Sequence, residues 1–194
     1  MKERGPGRSR AAAAKRYQSR LNKLWDELKW LYCELYGQRA DTEQRLQELA
    51  EAMRQFYDTR SKSLKETDCK READPDWYRR NDLMGMMLYA NNFGGTLRGT
   101  AEHIAYLKEC GVNYLHLMPL LASPKGKSDG GYAVADFRTV QPELGTMKDF
   151  AALADACHEN GINVCLDFVM NHTSDEHEWA RRARAGEKAY QDRY

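Results

Sequence analysis

Two short polar runs, each following an apolar stretch, carry the side chains of this chain that could do chemistry. The first is Asp167-Phe168-Val169-Met170-Asn171-His172, running on through Thr173 and Ser174 to Trp179, after the apolar stretch Ile162 to Leu166. Such a stretch reads as a buried strand of a parallel sheet. Polar groups at its C-terminal end lie where a (β/α) barrel assembles its active site. Carboxylate and amide offer acceptors there, and the imidazole can donate or accept. A plainer reading has Asp167 and Asn171 only satisfying backbone groups at the strand end. The second run is Lys127-Ser128-Asp129-Gly130-Gly131-Tyr132 and on to Phe137, after the apolar strand Tyr114 to Pro119. Taken alone, Tyr132 is a turn aromatic and Asp129 an exposed loop acid.

The elements that must position these runs fall into two regions. From Ala11 to about Lys65 the pattern is helical. Tyr17, Leu21, Leu24, Trp25, Leu28, Leu31, Tyr32 and Leu35 form one apolar face that ends at Gly37. Asp41 and Gln44 are spaced like a capping box for a second helix, whose stripe is Leu46, Leu49, Met53, Phe56 and Tyr57. The pair reads as a packed helical hairpin, with a coiled-coil dimer as the competing reading. Lys65 to Arg80 is charged, contains Pro75 and reads as a connector. From Leu83 the rhythm becomes strand, loop, helix, Gly, strand. Strands are expected at Met84–Tyr89, Tyr114–Met118 and Asn163–Val169, with helices at about Leu97–Cys110 and Met147–Asn160 and stops at Gly111 and Gly161. This alternation implies α/β architecture with a parallel sheet.

The chain has 194 residues and a net charge of +1, which gives no support for nucleic acid as a partner. No run of about 20 apolar residues suggests a membrane span. The basic start, Met1 to Arg10, lacks the apolar core of a secretory signal and reads as a solvated tail. Five cysteines include no CxxC pair; Cys110, Cys157 and Cys165 sit in apolar segments as small hydrophobes, the pattern of a reducing, cytoplasmic setting. His116 lies within a strand and reads as core. His172 and His177, with Asp175 and Glu176 between them, do not have HExxH spacing, and no metal site is expected. Gly94-Gly95 and Gly130-Gly131 fit neither a dinucleotide nor a P-loop pattern.

Together, Tyr114 to Leu120, Lys127 to Val134 and Asn171 to Trp179 resemble the α-amylase superfamily of retaining glycoside hydrolases and transglucosidases, and within it the amylosucrases. The resemblance runs in order from about Arg71 to Tyr194. It implies a helical region with connector over 1–80, the first three β/α units of an incomplete (β/α)8 TIM barrel over 81–170, and the start of a loop insertion over 171–194. A full barrel takes about 250 residues, so the chain is expected to be the first part of a larger enzyme.

By the same resemblance, His172 hydrogen-bonds a hydroxyl of the transferred glucosyl ring and Tyr132 stacks on that ring. Asp129 matches an aspartate that pairs with a distant arginine to close the pocket. Asp167 and Asn171 support the strand end. The nucleophile and the acid/base of the family lie on later strands, beyond Tyr194, so no catalytic residue is expected here. The Asn171 position is a calcium ligand in some amylases, but the amylosucrase-like context implies no cofactor. Asn91-Asn92 departs from the Asp-bearing sequence expected at the first strand end. The implied activity is cleavage of sucrose with release of fructose and extension of an α-1,4-glucan, in the cytoplasm. Sucrose hydrolase, another α-glucosidase, or an inactive truncated product acting as a binding module remain alternatives, and the oligomeric state is open.

Overall fold

The computed structural model describes residues 6–194, with side chains from Ala14 onward. Half of the basic start read above as a solvated tail, Met1 to Gly5, therefore lies outside the described residues. The chain divides into two compact units between Pro75 and Asp76, ahead of the boundary expected at residue 80.

The first unit is three helices, α1 (Pro6–Tyr36), α2 (Thr42–Thr59) and α3 (Lys62–Ala73). Leu46 and Tyr57 are buried among its described side chains, and the Tyr57 ring lies 5.1 Å from that of Tyr17. The α1 stripe is only partly covered. Tyr17, Leu21, Trp25, Leu28 and Tyr32 are half-buried, whereas Leu24, Leu31 and Leu35 are exposed. Steps of three and four around a 3.6-residue turn spread these residues over a wider arc than neighbouring helices cover.

Two expectations fail in this unit. Asp41 precedes α2 but makes no side-chain cap; its carboxylate accepts from Arg39 and Arg45 instead. Much of the expected connector is α3, which is capped by Ser61, whose hydroxyl accepts from the Leu64 amide. Helix-favouring Lys and Glu residues, the cap and the Arg60–Asp68 pair at 2.7 Å sustain a helix with no apolar stripe.

The second unit is built on a parallel sheet of β1 (Gly85–Leu88), β2 (Tyr114–Leu117) and β5 (Asn163–Leu166), with β2 in the middle. All three strands are shorter than expected, but each lies inside its predicted range. Leu115 and Leu117 of β2 are fully buried, in one core with Leu97, Leu107, Leu153, Cys157 and Ile162. Tyr114 and His116 alternate with them and so project from the opposite face. Burial raises the Cys157 thiol to about 11, so it acts as a hydrophobe. Cys110 does not: it caps a helix end and is exposed.

Short helix α4 (Ala90–Phe93) occupies the expected loop after β1. The next predicted helix is broken at His103 into α5 (Leu97–Glu102) and α6 (Ile104–Glu109). An antiparallel pair, β3 (Leu121–Ala122) with β4 (Asp136–Val140), was not expected and frames the loop that carries Asp129 and Tyr132. The chain then continues through α7 (Met147–Glu159) and β5 to α8 (Glu178–Arg184) and α9 (Lys188–Gln191).

Helix α7 begins with a reciprocal capping box between Thr146 and Asp149, and Arg98 of α5 adds an ion pair to Asp149 at 2.6 Å. The Thr146 side chain first, then Arg98, lowers the Asp149 carboxyl from 3.8 to about 2. The folded state thus favours the ionised form, and its contribution to stability is full at neutral pH and lost as pH falls from about 4 to about 2. Asp149→Asn is expected to lower stability at pH 7 and to flatten the acid limb of a pH–stability profile over that window, as followed by urea unfolding with circular dichroism.

Candidate functional site

The site is assembled where the parallel strands end. β2 and β5 run in register with His116 opposite Cys165. Asp167 lies two residues beyond Cys165 and therefore projects from the same face as His116. The two meet there, with His116 Nε2 3.1 Å from Asp167 Oδ1. The other carboxylate oxygen, Oδ2, accepts from the Tyr132 hydroxyl at 3.0 Å. A single carboxylate thus joins a sheet residue to the loop between β3 and β4. Both His116 and Asp167 are partly buried, and Tyr132 is 38% exposed.

The loop can bring Tyr132 to this point because of Gly130 and Gly131. Both have positive φ, 59° and 88°. A side chain at Gly130 would meet the Tyr89 hydroxyl at 2.8 Å, and one at Gly131 would meet Pro119 at 3.0 Å. Any other residue there is both strained and crowded.

His172 comes from the segment after β5. Its Nε2 donates to the Tyr132 carbonyl at 3.2 Å, and its Nδ1 accepts from the Asn171 amide at 3.1 Å. A carbonyl only accepts, so the proton sits on Nε2 in this arrangement. Further bonds tie the two loops together. Ser174 N donates to the Val134 carbonyl at 2.8 Å, and Lys127 pairs with Glu176 at 2.6 Å. Asp129 stands apart: it is exposed, its carbonyl accepts from Tyr132 N, and its carboxylate makes no ion pair among the described residues.

The structure therefore gathers Tyr132, Asp167, Asn171 and His172 into one hydrogen-bonded set and leaves Asp129 at its edge. Sequence reasoning missed His116, which was read as core, and the Lys127–Glu176 clasp. Alternation along β2 put His116 off the Leu115–Leu117 face, which was the available signal. Among the described residues, no group of three or more His, Cys, Asp and Glu side chains is placed to hold a metal ion. His177 of the same segment is buried between Phe137 and Trp179, and caps α8 by accepting from the Trp179 amide.

Parallel β/α units with a polar cluster at the C-terminal strand ends define the class as a partial (β/α)8 barrel. The chain belongs to the α-amylase family: residues 51–194 match the family described as "Alpha amylase, catalytic domain". Among curated relatives, the trehalose synthase of Pimelobacter sp. is 44% identical over 58% of this chain and 20% of that protein. Maltase 1 of Drosophila virilis is 43% identical over 52% of this chain and 16% of that protein.

Among solved structures, the trehalose-6-phosphate hydrolase of Bacillus licheniformis superposes with a TM-score of 0.55 at 33% identity, over 61% of this chain and 22% of that one. A mutant of the trehalulose synthase MutB, solved in complex with the substrate sucrose, gives 0.55 at 33% identity, over 62% and 22%. The chain spans about a fifth of the length of the curated relatives it matches. These relatives are glucosidases and glucosyl-transferring enzymes of one family.

The Tyr132 phenol is held above its usual 10.0, chiefly by the hydrogen bond to Asp167. Asp167→Asn replaces the anionic acceptor with a neutral one and is expected to bring that titration back down towards 10.0. Fluorine NMR of fluorotyrosine-labelled protein, assigned with Tyr132→Phe, reads the change directly.

Proposed function

We propose that this chain supplies part of the glucosyl-binding pocket of a retaining α-glucosyl transferase or hydrolase acting on sucrose, amylosucrase-like in releasing fructose and extending an α-1,4-glucan. The observation that carries the reading is the convergence of Tyr132 and His172, tied by Asp167 and Asn171, at the end of the parallel strands. An exposed tyrosine face suits the apolar CH face of a sugar ring. An imidazole beside it suits a hydroxyl. The kinship with the sucrose-bound MutB mutant supports the substrate, and Lys127 to Val134, with Ala133 at its centre, supports the finer choice of amylosucrase. Asp129 is given the role of closing the pocket with a cation from elsewhere in the enzyme.

In this reading residues 1–80 are a helical domain with connector, 81–170 begin the catalytic barrel and 171–194 begin the loop insertion after the third parallel strand. Retaining transfer uses two carboxyl groups about 5–5.5 Å apart, one as nucleophile and one as acid and then base. Both are assigned to parts of the enzyme outside these residues, and no cofactor is required. The free cysteines favour a reducing, cytoplasmic setting.

The 194 residues alone are expected to release no fructose from sucrose; release that survives both His172→Ala and Tyr132→Phe would refute the site. In the complete enzyme, His172→Ala is expected to lower kcat/KM for sucrose by about tenfold or more, the equivalent of one hydrogen bond of about 1.4 kcal/mol. Unchanged kinetics would remove His172 from the pocket.

A further inference from the structure

We propose that His116 is a positioning residue that acts through Asp167 to hold the Tyr132 ring in its stacking orientation. The proposal rests on the glucosyl-pocket reading for its consequence, and on geometry alone for its mechanism. His116 is the polar member of an otherwise apolar run, Leu115-His116-Leu117, in the central strand of the sheet. It is fixed from both sides, opposite Met87 of β1 and Cys165 of β5. An imidazole half out of water in such a strand is costly unless its polar atoms are used. Its Nε2 is used, at 3.1 Å from Asp167 Oδ1.

The arrangement has a mechanical consequence. A carboxylate held by one hydrogen bond can still turn about its last torsion, and a phenol following it would swing. Here each oxygen has its own partner, His116 on Oδ1 and the Tyr132 hydroxyl on Oδ2. The rigid sheet therefore reaches the loop through two bonds in series. Tyr132 needs that support, because the residue is 38% exposed and its backbone follows two glycines. The Asp167 acceptor requires the proton on Nε2 of His116, so the imidazole donates. A donor at this position also draws charge from the carboxylate and weakens its hold on the phenol proton.

The test uses the complete enzyme with His116→Phe, which fills the space without a donor, and His116→Gln, whose amide can replace Nε2. His116→Phe is expected to raise the Tyr132 phenol titration further, as read by fluorine NMR. It is also expected to raise KM for sucrose by about tenfold while kcat changes less, and His116→Gln should restore both. A purely structural histidine would lower thermal stability and leave the phenol and the KM–kcat split where they were; that result overturns the proposal. If the phenol responds but the wild type does not cleave sucrose, the positioning role stands and the substrate reading falls.

Discussion

The register between β2 and β5 is the constraint on which the rest of the site depends. With His116 opposite Cys165 and Leu117 opposite Leu166, Asp167 emerges on the face away from the helices. A slip of β5 by one residue would send it into the core and turn Val164, which packs against that core, outward. That slip is opposed by Leu115 and Leu117, fully buried with Leu107 and Leu153, where truncation of a single leucine costs about 2–5 kcal/mol. It is opposed again at the other end of the strands. There the Asn113 side chain bonds Met84 N and the Asp82 carbonyl, and the Asn163 amide bonds the Asn113 carbonyl. Apolar packing and amide clamps thus set where one carboxylate stands.

The loops are held less by charge than by backbone. Lys127 and Glu176 approach to 2.6 Å, yet both side chains are largely exposed, and such pairs contribute little in water. The bonds from Ser174 N to Val134 and from His172 to the Tyr132 carbonyl join loop to loop over shorter side-chain spans and lose less conformational freedom. His177 completes the anchoring of the later segment. It is buried against Phe137 and Trp179, and its burial favours the neutral ring that can accept from the Trp179 amide.

What was legible in the sequence follows from periodicity. Long apolar stretches and glycine stops marked β1, β2, β5 and α7, because their burial is one-sided or complete and leaves a regular pattern. Helix α3 left none: its stability comes from propensity, a serine cap and an ion pair, none of which alternates. The β3–β4 pair was hidden because β3 is only two residues long and breaks register at Leu121. Within the site, the kinds of residue were readable but the bonds between them were not. His116 and Asp167 are 51 positions apart and meet only once two strands are aligned. Asp41 shows the converse, since a correctly spaced cap residue was drawn off by two arginines.

In the proposed pocket, the occupancy of His172 sets how the work of binding would be divided. Both ring nitrogens already have protein partners, the Tyr132 carbonyl and the Asn171 amide. A hydroxyl reaching Nε2 would therefore replace an existing hydrogen bond, and such exchanges are worth only about 0.5–1.5 kcal/mol net. The Tyr132 face carries no such competing partner in its own loop, and covering it removes apolar surface from water at about 25 cal/mol per Å². In the proposed pocket the tyrosine would supply affinity and the imidazole orientation. Affinity would then depend on how well the ring is held, and so on Asp167, on the strand that presents it and on the register of that strand with its neighbour.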